Sequence, residues 1–301
     1  MNNAVTILDG GMGRELKRMG APFKQPEWSA LALMEAPQTV QQAHAAFIKA
    51  GAEVITTNTY AVVPYHIGEE RFKTSGAQLI KLAAELAQEA AQRASKPIQI
   101  AGCIPPLFGS YEPGNFMIER AAELVEPFIE QQKATIYFWL VETISSLVEA
   151  KTVFEALRVT GKPVWLSFHV AETEGENGPA FLKSGESIED VIKAFIQKQD
   201  PPQAILFNCT TPERVTQAIT QTASIIKTQD KEILFGGYAN SFIPKQSLRA
   251  ANEDVSELNQ ELTPQVYLDY AKKWKALGAK IIGGCCGVGP EHISVLSKNL
   301  K

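Results

Sequence analysis

The run Gly283-Gly284-Cys285-Cys286-Gly287 sets two adjacent cysteines among three glycines, directly after Ala279-Lys280-Ile281-Ile282. Adjacent residues on a regular strand point to opposite faces, so both thiols meet one partner only where the backbone leaves strand geometry. Glycine permits that departure at little steric cost. Three readings are open for such a pair: a strained disulfide, two inert buried thiols, or two ligands to one soft metal. The third needs a further ligand from elsewhere, and the chain supplies Cys209 in Phe207-Asn208-Cys209-Thr210. Three thiolates suit zinc, and a zinc site with three protein ligands and an open fourth position is catalytic rather than structural.

Other polar residues close apolar runs in the same way. Asp9 precedes Gly10-Gly11, Thr56-Thr57-Asn58-Thr59-Tyr60 ends a second run, and Glu142-Thr143 and Tyr238-Ala239-Asn240 end two more. Glu142 either caps a following helix or stands as a lone carboxylate at the mouth of an apolar strand, since Ile136–Val141 holds no charge. Asp9 either makes a turn or joins Glu142; Asn58 and Asn240 either satisfy backbone groups or contact a ligand. His169 is an outside candidate for a fourth metal ligand, His44 and His292 fall on helical patterns, and Cys103 reads as a small buried apolar residue. Zinc on three thiolates accepts a fourth thiol from a substrate and favours its deprotonation, which makes a nucleophile at neutral pH. Nearby carboxylates would hold an ammonium group. The set therefore points to an amino-acid thiol anchored by its amine and alkylated by in-line displacement.

These residues need a scaffold that gathers strand ends. Eight short apolar runs alternate with longer amphipathic ones: Thr6–Gly11, Glu53–Tyr60, Ile98–Ile104, Ile136–Thr143, Pro163–Val170, Ala204–Thr210, Ile233–Asn240 and Ala279–Gly284. Runs apolar throughout, such as Ala204-Ile205-Leu206-Phe207, suit parallel strands covered on both faces. Helical patterns cover Gln78–Ala94 and Thr263–Leu277, the latter opening on Thr-Pro. Eight strand-then-helix units in 301 residues predict an α/β fold of the (β/α)8 TIM-barrel type, as one domain over residues 1–301. An open doubly wound sheet is less well supported, because no Gly-x-Gly-x-x-Gly follows the first run. The loops Pro105–Phe116, Ala171–Glu186 and Ser241–Leu262 then lie over the carboxyl end of the barrel.

A net charge of −4 gives no general reason to expect nucleic acid or a membrane as partner. No apolar run reaches the roughly 20 residues that span a bilayer. The start Met1-Asn2-Asn3-Ala4-Val5-Thr6 lacks signal-peptide features. A cytoplasmic location is expected, and there cysteines more often serve as buried thiols or ligands than as disulfides.

With these residues in hand, the chain resembles the homocysteine S-methyltransferase family. The motifs appear in order over nearly the whole length: Asp9-Gly10-Gly11-Met12-Gly13-Arg14-Glu15-Leu16, Gly51-Ala52-Glu53 leading to Thr56–Tyr60, Glu142-Thr143-Ile144, Asn208-Cys209, Tyr238-Ala239-Asn240 and Gly283–Gly287. The resemblance implies a (β/α)8 barrel with catalytic zinc on Cys209, Cys285 and Cys286, and a homocysteine amine held by Asp9 and Glu142. It also implies that Gly10, Gly11, Thr57, Asn58 and Asn240 help to hold substrate, and that the product is methionine. Two departures fall where a donor would be read: Gly102-Cys103-Ile104-Pro105-Pro106 replaces the family's Gly-Pro, and Ala134-Thr135-Ile136-Tyr137 lacks the acidic residue often found there. The folate and cobalamin relatives add domains, for which 301 residues are expected to leave no room, and the betaine relatives add a carboxy-terminal oligomerisation segment, where this sequence is expected to hold one helix after Gly283–Gly287. A sulfonium donor, S-methylmethionine or S-adenosylmethionine, is therefore expected, with a betaine-dependent or another thiol or selenol methyltransferase as the alternative. Tyr60, Phe108, Tyr111, Phe116, Tyr238 and Phe242 are aromatic candidates for holding such a cation, or for plain lid packing. The expected partners are these two small molecules, with the chain a monomer or homodimer. A phosphate-binding isomerase or aldolase is the competing class, resting on Gly236-Gly237 and Gly283-Gly284, and a non-catalytic zinc or thiol sensor is a third.

Overall fold

The computed structural model describes residues 4–171, 178–227, 229, 233–243 and 257–301. Residues 172–177 of Ala171–Glu186 and residues 244–256 of Ser241–Leu262 lie outside the described residues, as do the first three of the chain. The strands are β1 (Thr6–Ile7), β2 (Val54–Thr56), β3 (Gln99–Ile104), β4 (Phe138–Ile144), β5 (Val164–Phe168), β6 (Ala204–Asn208), β7 (Leu234–Tyr238) and β8 (Ile281–Ile282). All pair in parallel in the order β1-β8-β7-β6-β5-β4-β3-β2. The ring closes between the ends of that order by the Leu8–Val54 bridge and a bond from the Glu53 amide to the Ile7 carbonyl (2.8 Å). This is the expected (β/α)8 barrel.

Every strand but the last is followed by helix before the next strand, and β8 by the helix Pro290–Asn299. The patterned segments form helices Ala77–Gln92 and Pro264–Ala276, with the Thr263 side chain accepting from the Val266 amide as an N-cap. Side chains alternate across each strand. One set, including Ile205, Phe207, Leu166 and Val141, packs outward in a large core with the helices. The other fills the barrel: Leu8, Val54, Ala101, Phe138, Leu140, Trp165, Ala204, Leu206, Tyr238 and Ile281. Phe138 and Trp165 stack there at 3.9 Å.

The inner set sets up the site. Two residues beyond Val54, Ala101, Leu140, Trp165 and Leu206 come Thr56, Cys103, Glu142, Ser167 and Asn208. The barrel is thus plugged with apolar side chains below and topped by a polar layer at its carboxyl end, where barrel enzymes carry their chemistry.

Candidate active site

The ends of β1, β7 and β8 are stitched together by backbone bonds. The Gly284 amide donates to the Asp9 carbonyl (3.0 Å), Cys285 to Ala239 (2.9 Å) and Ser241 to Cys286 (2.8 Å). Gly11 donates to Val288 (2.9 Å). A Cβ on Gly10 would stand 2.2 Å from the Val288 carbonyl, and one on Gly11 2.5 Å from that of Cys285. The Asp-Gly-Gly motif therefore lets the cysteine loop lie directly on β1, and the Gly11 amide is spent in holding it there. The glycines read as a phosphate cradle have packing reasons too: a Cβ on Gly236 would meet the Ile281 carbonyl at 1.8 Å, and one on Gly284 the Val288 side chain at 2.1 Å.

With the loop so placed, the sulfurs of Cys209, Cys285 and Cys286 all lie within 4.8 Å of one another. Cys209 and Cys286 are 3.9 Å apart, and all four cysteines are free thiols. Tetrahedral bonds of about 2.3 Å would set zinc-bound sulfurs about 3.8 Å apart, so these residues fit such an ion. Hydrogen bonds from Cys209 and then Cys285 hold the Cys286 thiol well below its usual range. His169 is not among the ligand atoms. Its Nδ1 lies 3.2 Å from the Cys209 carbonyl, which can only accept, and burial drops its pKa to about 4, so the ring is neutral with its proton on Nδ1.

Asp9 accepts from the Thr56 amide (2.8 Å) and hydroxyl (3.2 Å). Glu142, half-buried at the mouth, accepts from the Cys103 thiol (3.3 Å) and the Tyr238 hydroxyl (3.0 Å). Glu142 is no helix cap, because the helix Leu147–Arg158 takes Ser146 for that role. Loss of water raises Asp9 to about 8, helped by the charge of Glu142, and raises Glu142 itself to about 7. Neither carboxylate has an ion-pair partner among the described residues, which leaves a place for a ligand's cation.

Two strand ends are bent to make this arrangement. The β4–β5 register shifts between Val141 and Ile144, a bulge that re-aims the side chains around Glu142. Thr143 (φ 58°) and Cys209 (φ 54°) both take the left-handed conformation, uncommon for any non-glycine residue and most of all for the β-branched Thr143. Asn208 holds the first: its Oδ1 accepts from the Thr143 amide (3.1 Å) and the Ser167 hydroxyl (2.7 Å), and its Nδ2 donates to the Thr143 hydroxyl (2.9 Å).

Several expected contacts are directed elsewhere. The Thr57 hydroxyl donates to Gln132 (2.6 Å) and accepts from the Cys103 amide (3.0 Å), facing the helix layer; Thr56 is the strand-two threonine turned to the site. Asn58 donates to the Ser29 carbonyl (3.2 Å), and Asn240 accepts from the Phe242 amide (3.2 Å), so both amides serve the backbone. Cys103, expected as a small buried apolar residue, is buried and also donates to Glu142. The sequence singles out Asn208, Thr56 and Tyr111 only as a motif member, as one of the strand-two threonines that the resemblance sets near the substrate, and as one of the aromatics. A period-two count from Leu206 and Val54 marks the first two, whereas no local pattern marks Tyr111.

A barrel enzyme with a thiol cluster and paired carboxylates at its mouth is the class that fold and site define. The homocysteine S-methyltransferase family profile matches residues 6–300. Homocysteine S-methyltransferase 1 of Brassica oleracea var. italica is 26% identical, over 98% of this chain and 93% of its own length. The selenocysteine methyltransferase of Astragalus bisulcatus is also 26% identical, over 98% of this chain and 92% of its own. Among solved structures, the oxidized form of the homocysteine methyltransferase MmuM from Escherichia coli superposes with a TM-score of 0.78 at 24% identity, covering 99% of this chain and 96% of that one. Its metallated form gives 0.76 at 23%, over 98% and 96%. The chain belongs to the homocysteine S-methyltransferase family and is a methyltransferase.

Proposed function

We propose that this enzyme is a zinc-dependent homocysteine S-methyltransferase that takes its methyl group from a sulfonium, S-methylmethionine or S-adenosylmethionine, and forms methionine. The observation that carries the reading is the three-thiol cluster beside a buried and a half-buried carboxylate, Asp9 and Glu142, neither with an ion-pair partner among the described residues. Zinc held by Cys209, Cys285 and Cys286 would keep a bound substrate thiol deprotonated at neutral pH. Asp9 and Glu142 bind the amino-acid ammonium, Asp9 oriented by Thr56 and Glu142 by Tyr238 and Cys103. That fixes the distance from amine to sulfur, which favours an amino-acid thiol over a plain thiol.

In the transfer, the substrate sulfur forms a bond to the methyl carbon while the carbon–sulfonium bond breaks, and both products are neutral. A pocket for this step should hold the cation by aromatic faces and carbonyl oxygens, because a buried carboxylate would overstabilise the ground state. Reduced thiols at this site fit a cytoplasmic location.

The test is a donor screen with reduced, zinc-loaded protein, with homocysteine and selenocysteine as competing acceptors. Turnover should be fastest with S-methylmethionine, slower with S-adenosylmethionine, and slight with betaine or methylfolate. Betaine as the best donor would overturn the sulfonium assignment, and preference for selenocysteine the acceptor.

A further inference from the structure

A sulfonium brought to this site meets more than one nucleophile. Each ligand thiolate competes with the substrate for the methyl group. In the unwanted step a cysteine sulfur bonds to the methyl carbon, the carbon–sulfonium bond breaks, the donor leaves as a neutral thioether, and the cluster is left with an S-methylcysteine.

The loop after β3 reaches this cluster at one point. The Tyr111 hydroxyl lies 2.9 Å from the Cys209 sulfur. Tyr111 is held from several sides. Its backbone is left-handed (φ 68°), a conformation that non-glycine residues seldom adopt unless their surroundings enforce it. Next to it, the Ser110 hydroxyl bonds to the Tyr60 hydroxyl (2.7 Å), and Gly109 (φ 117°) lies where a Cβ would strike the Tyr65 ring at 2.8 Å. The tyrosine ring rests 4.5 Å from the His169 ring, and His169 is itself tied to the Cys209 carbonyl. One face of Tyr111 is thus occupied by His169, and its polar end is directed at one chosen sulfur.

We propose that Tyr111 shields Cys209: its O–H donates to the Cys209 sulfur, ties up a lone pair, and keeps that ligand from taking the methyl group meant for the substrate. An ordinary phenol keeps its proton up to about pH 10, so at neutral pH the Tyr111 hydroxyl is a donor to the Cys209 thiolate. Charge-assisted bonds of this kind are the stronger class, and hydrogen bonds to a ligand atom tune its donor strength. The proposal rests on the zinc methyltransferase reading only for its purpose; the hydrogen bond and its effect on sulfur reactivity stand apart from it.

The experiment uses methyl iodide, which alkylates a reactive thiolate without needing a donor site. Zinc-loaded wild type, Tyr111→Phe and Tyr65→Phe are treated without acceptor, and methylation is followed by peptide mass at Cys209, Cys285 and Cys286. Tyr111→Phe keeps the ring on His169 and removes only the hydroxyl, while Tyr65→Phe removes a hydroxyl from the same neighbourhood that bonds to Glu112. Cys209 should be methylated about tenfold faster in Tyr111→Phe, the effect of losing one hydrogen bond to a charged group. The other two cysteines should keep their rates, and Tyr65→Phe should match wild type. An unchanged Cys209 rate overturns the proposal. So does equal acceleration of all three thiols, which would show a loosened loop rather than a lost hydrogen bond. Thermal unfolding of each variant confirms the fold, and metal analysis of the same samples separates the two claims. Absence of zinc sinks the zinc reading, while the Cys209 rate ratio still decides the role of Tyr111.

Discussion

At the scale of residues, Asp9 and Glu142 at the barrel mouth are the proposed anchor for the substrate ammonium. With Asp9 near 8 and Glu142 near 7, the ligand-free site holds protons around neutrality that an incoming ammonium must displace. The KM for homocysteine should therefore fall as pH rises from about 6 to about 8, where both carboxylates ionise. A flat KM over that range would mean that neither carboxylate meets the amine. Glu142→Gln should raise the KM about a hundredfold, since breaking one side of a buried charge pair costs about 3 kcal/mol or more. Metal content should be unchanged, because Glu142 is not among the cluster's ligand atoms. Equal KM values for the variant and wild type would reduce Glu142 to a partner of Cys103 and Tyr238.

At the scale of elements, the site depends on strand ends that leave regular geometry. Asn208 braces the left-handed turn at Thr143 from its own place beside Cys209, so it links the end of β4 to the end of β6. Asn208→Ala removes three buried hydrogen bonds and should cost about 2–4 kcal/mol in urea unfolding. It should also raise the homocysteine KM and weaken metal retention together, unlike Glu142→Gln. Loss of stability with both of those intact would make Asn208 a brace for the barrel alone. The glycine pair after Asp9 is tested by Gly11→Ala, whose Cβ must push the Cys285–Cys286 backbone aside. Chelator competition should show zinc held at least about tenfold more weakly, whereas wild-type affinity would mean that the loop can shift without cost.

At the scale of the whole molecule, stability and chemistry separate. The barrel has a large outer core and a filled interior, so it does not need a metal to fold. Cys209→Ser, Cys285→Ser or Cys286→Ser should lose about one zinc per chain and nearly all activity, with little change in far-UV circular dichroism. Unfolding of any of these variants at room temperature would contradict a purely catalytic metal. Glu149 gives a pH signature of its own. It is buried and accepts from the Ser145 amide (3.1 Å), and folding raises its pKa from 4.5 to about 7, because burial disfavours the charged form. Its contribution is intact below pH 4.5 and is lost as pH climbs towards 7. Glu149→Gln should thus stabilise the protein by about 1–3 kcal/mol at pH 8 and by little at pH 4.5. An equal effect at both pH values would trace it to packing.

The eight-fold alternation, the three cysteines and the isolated Glu142 were legible in the sequence because each depends on local composition. Continuous apolar runs demand a doubly covered parallel sheet, and few arrangements other than metal binding use such a set of thiols. The extent of the strands was not legible: Thr6–Gly11 and Ala279–Gly284 read as strands, yet β1 and β8 are two residues each. Past those points Asp9, Gly11, Gly284 and Cys285 give their backbone bonds to neighbouring loops instead of the ladder. The phase of the polar layer was likewise decided in three dimensions. Which of two adjacent threonines faces the site turns on a single step of the pleat, since a one-residue slip exchanges the faces. Thr56 meets Asp9 while Thr57 meets Gln132, 75 residues away in sequence. Tyr111 and Cys209 are 98 residues apart. No spacing rule joins them, because their contact exists only once the β3 loop has folded over the ends of β5 and β6.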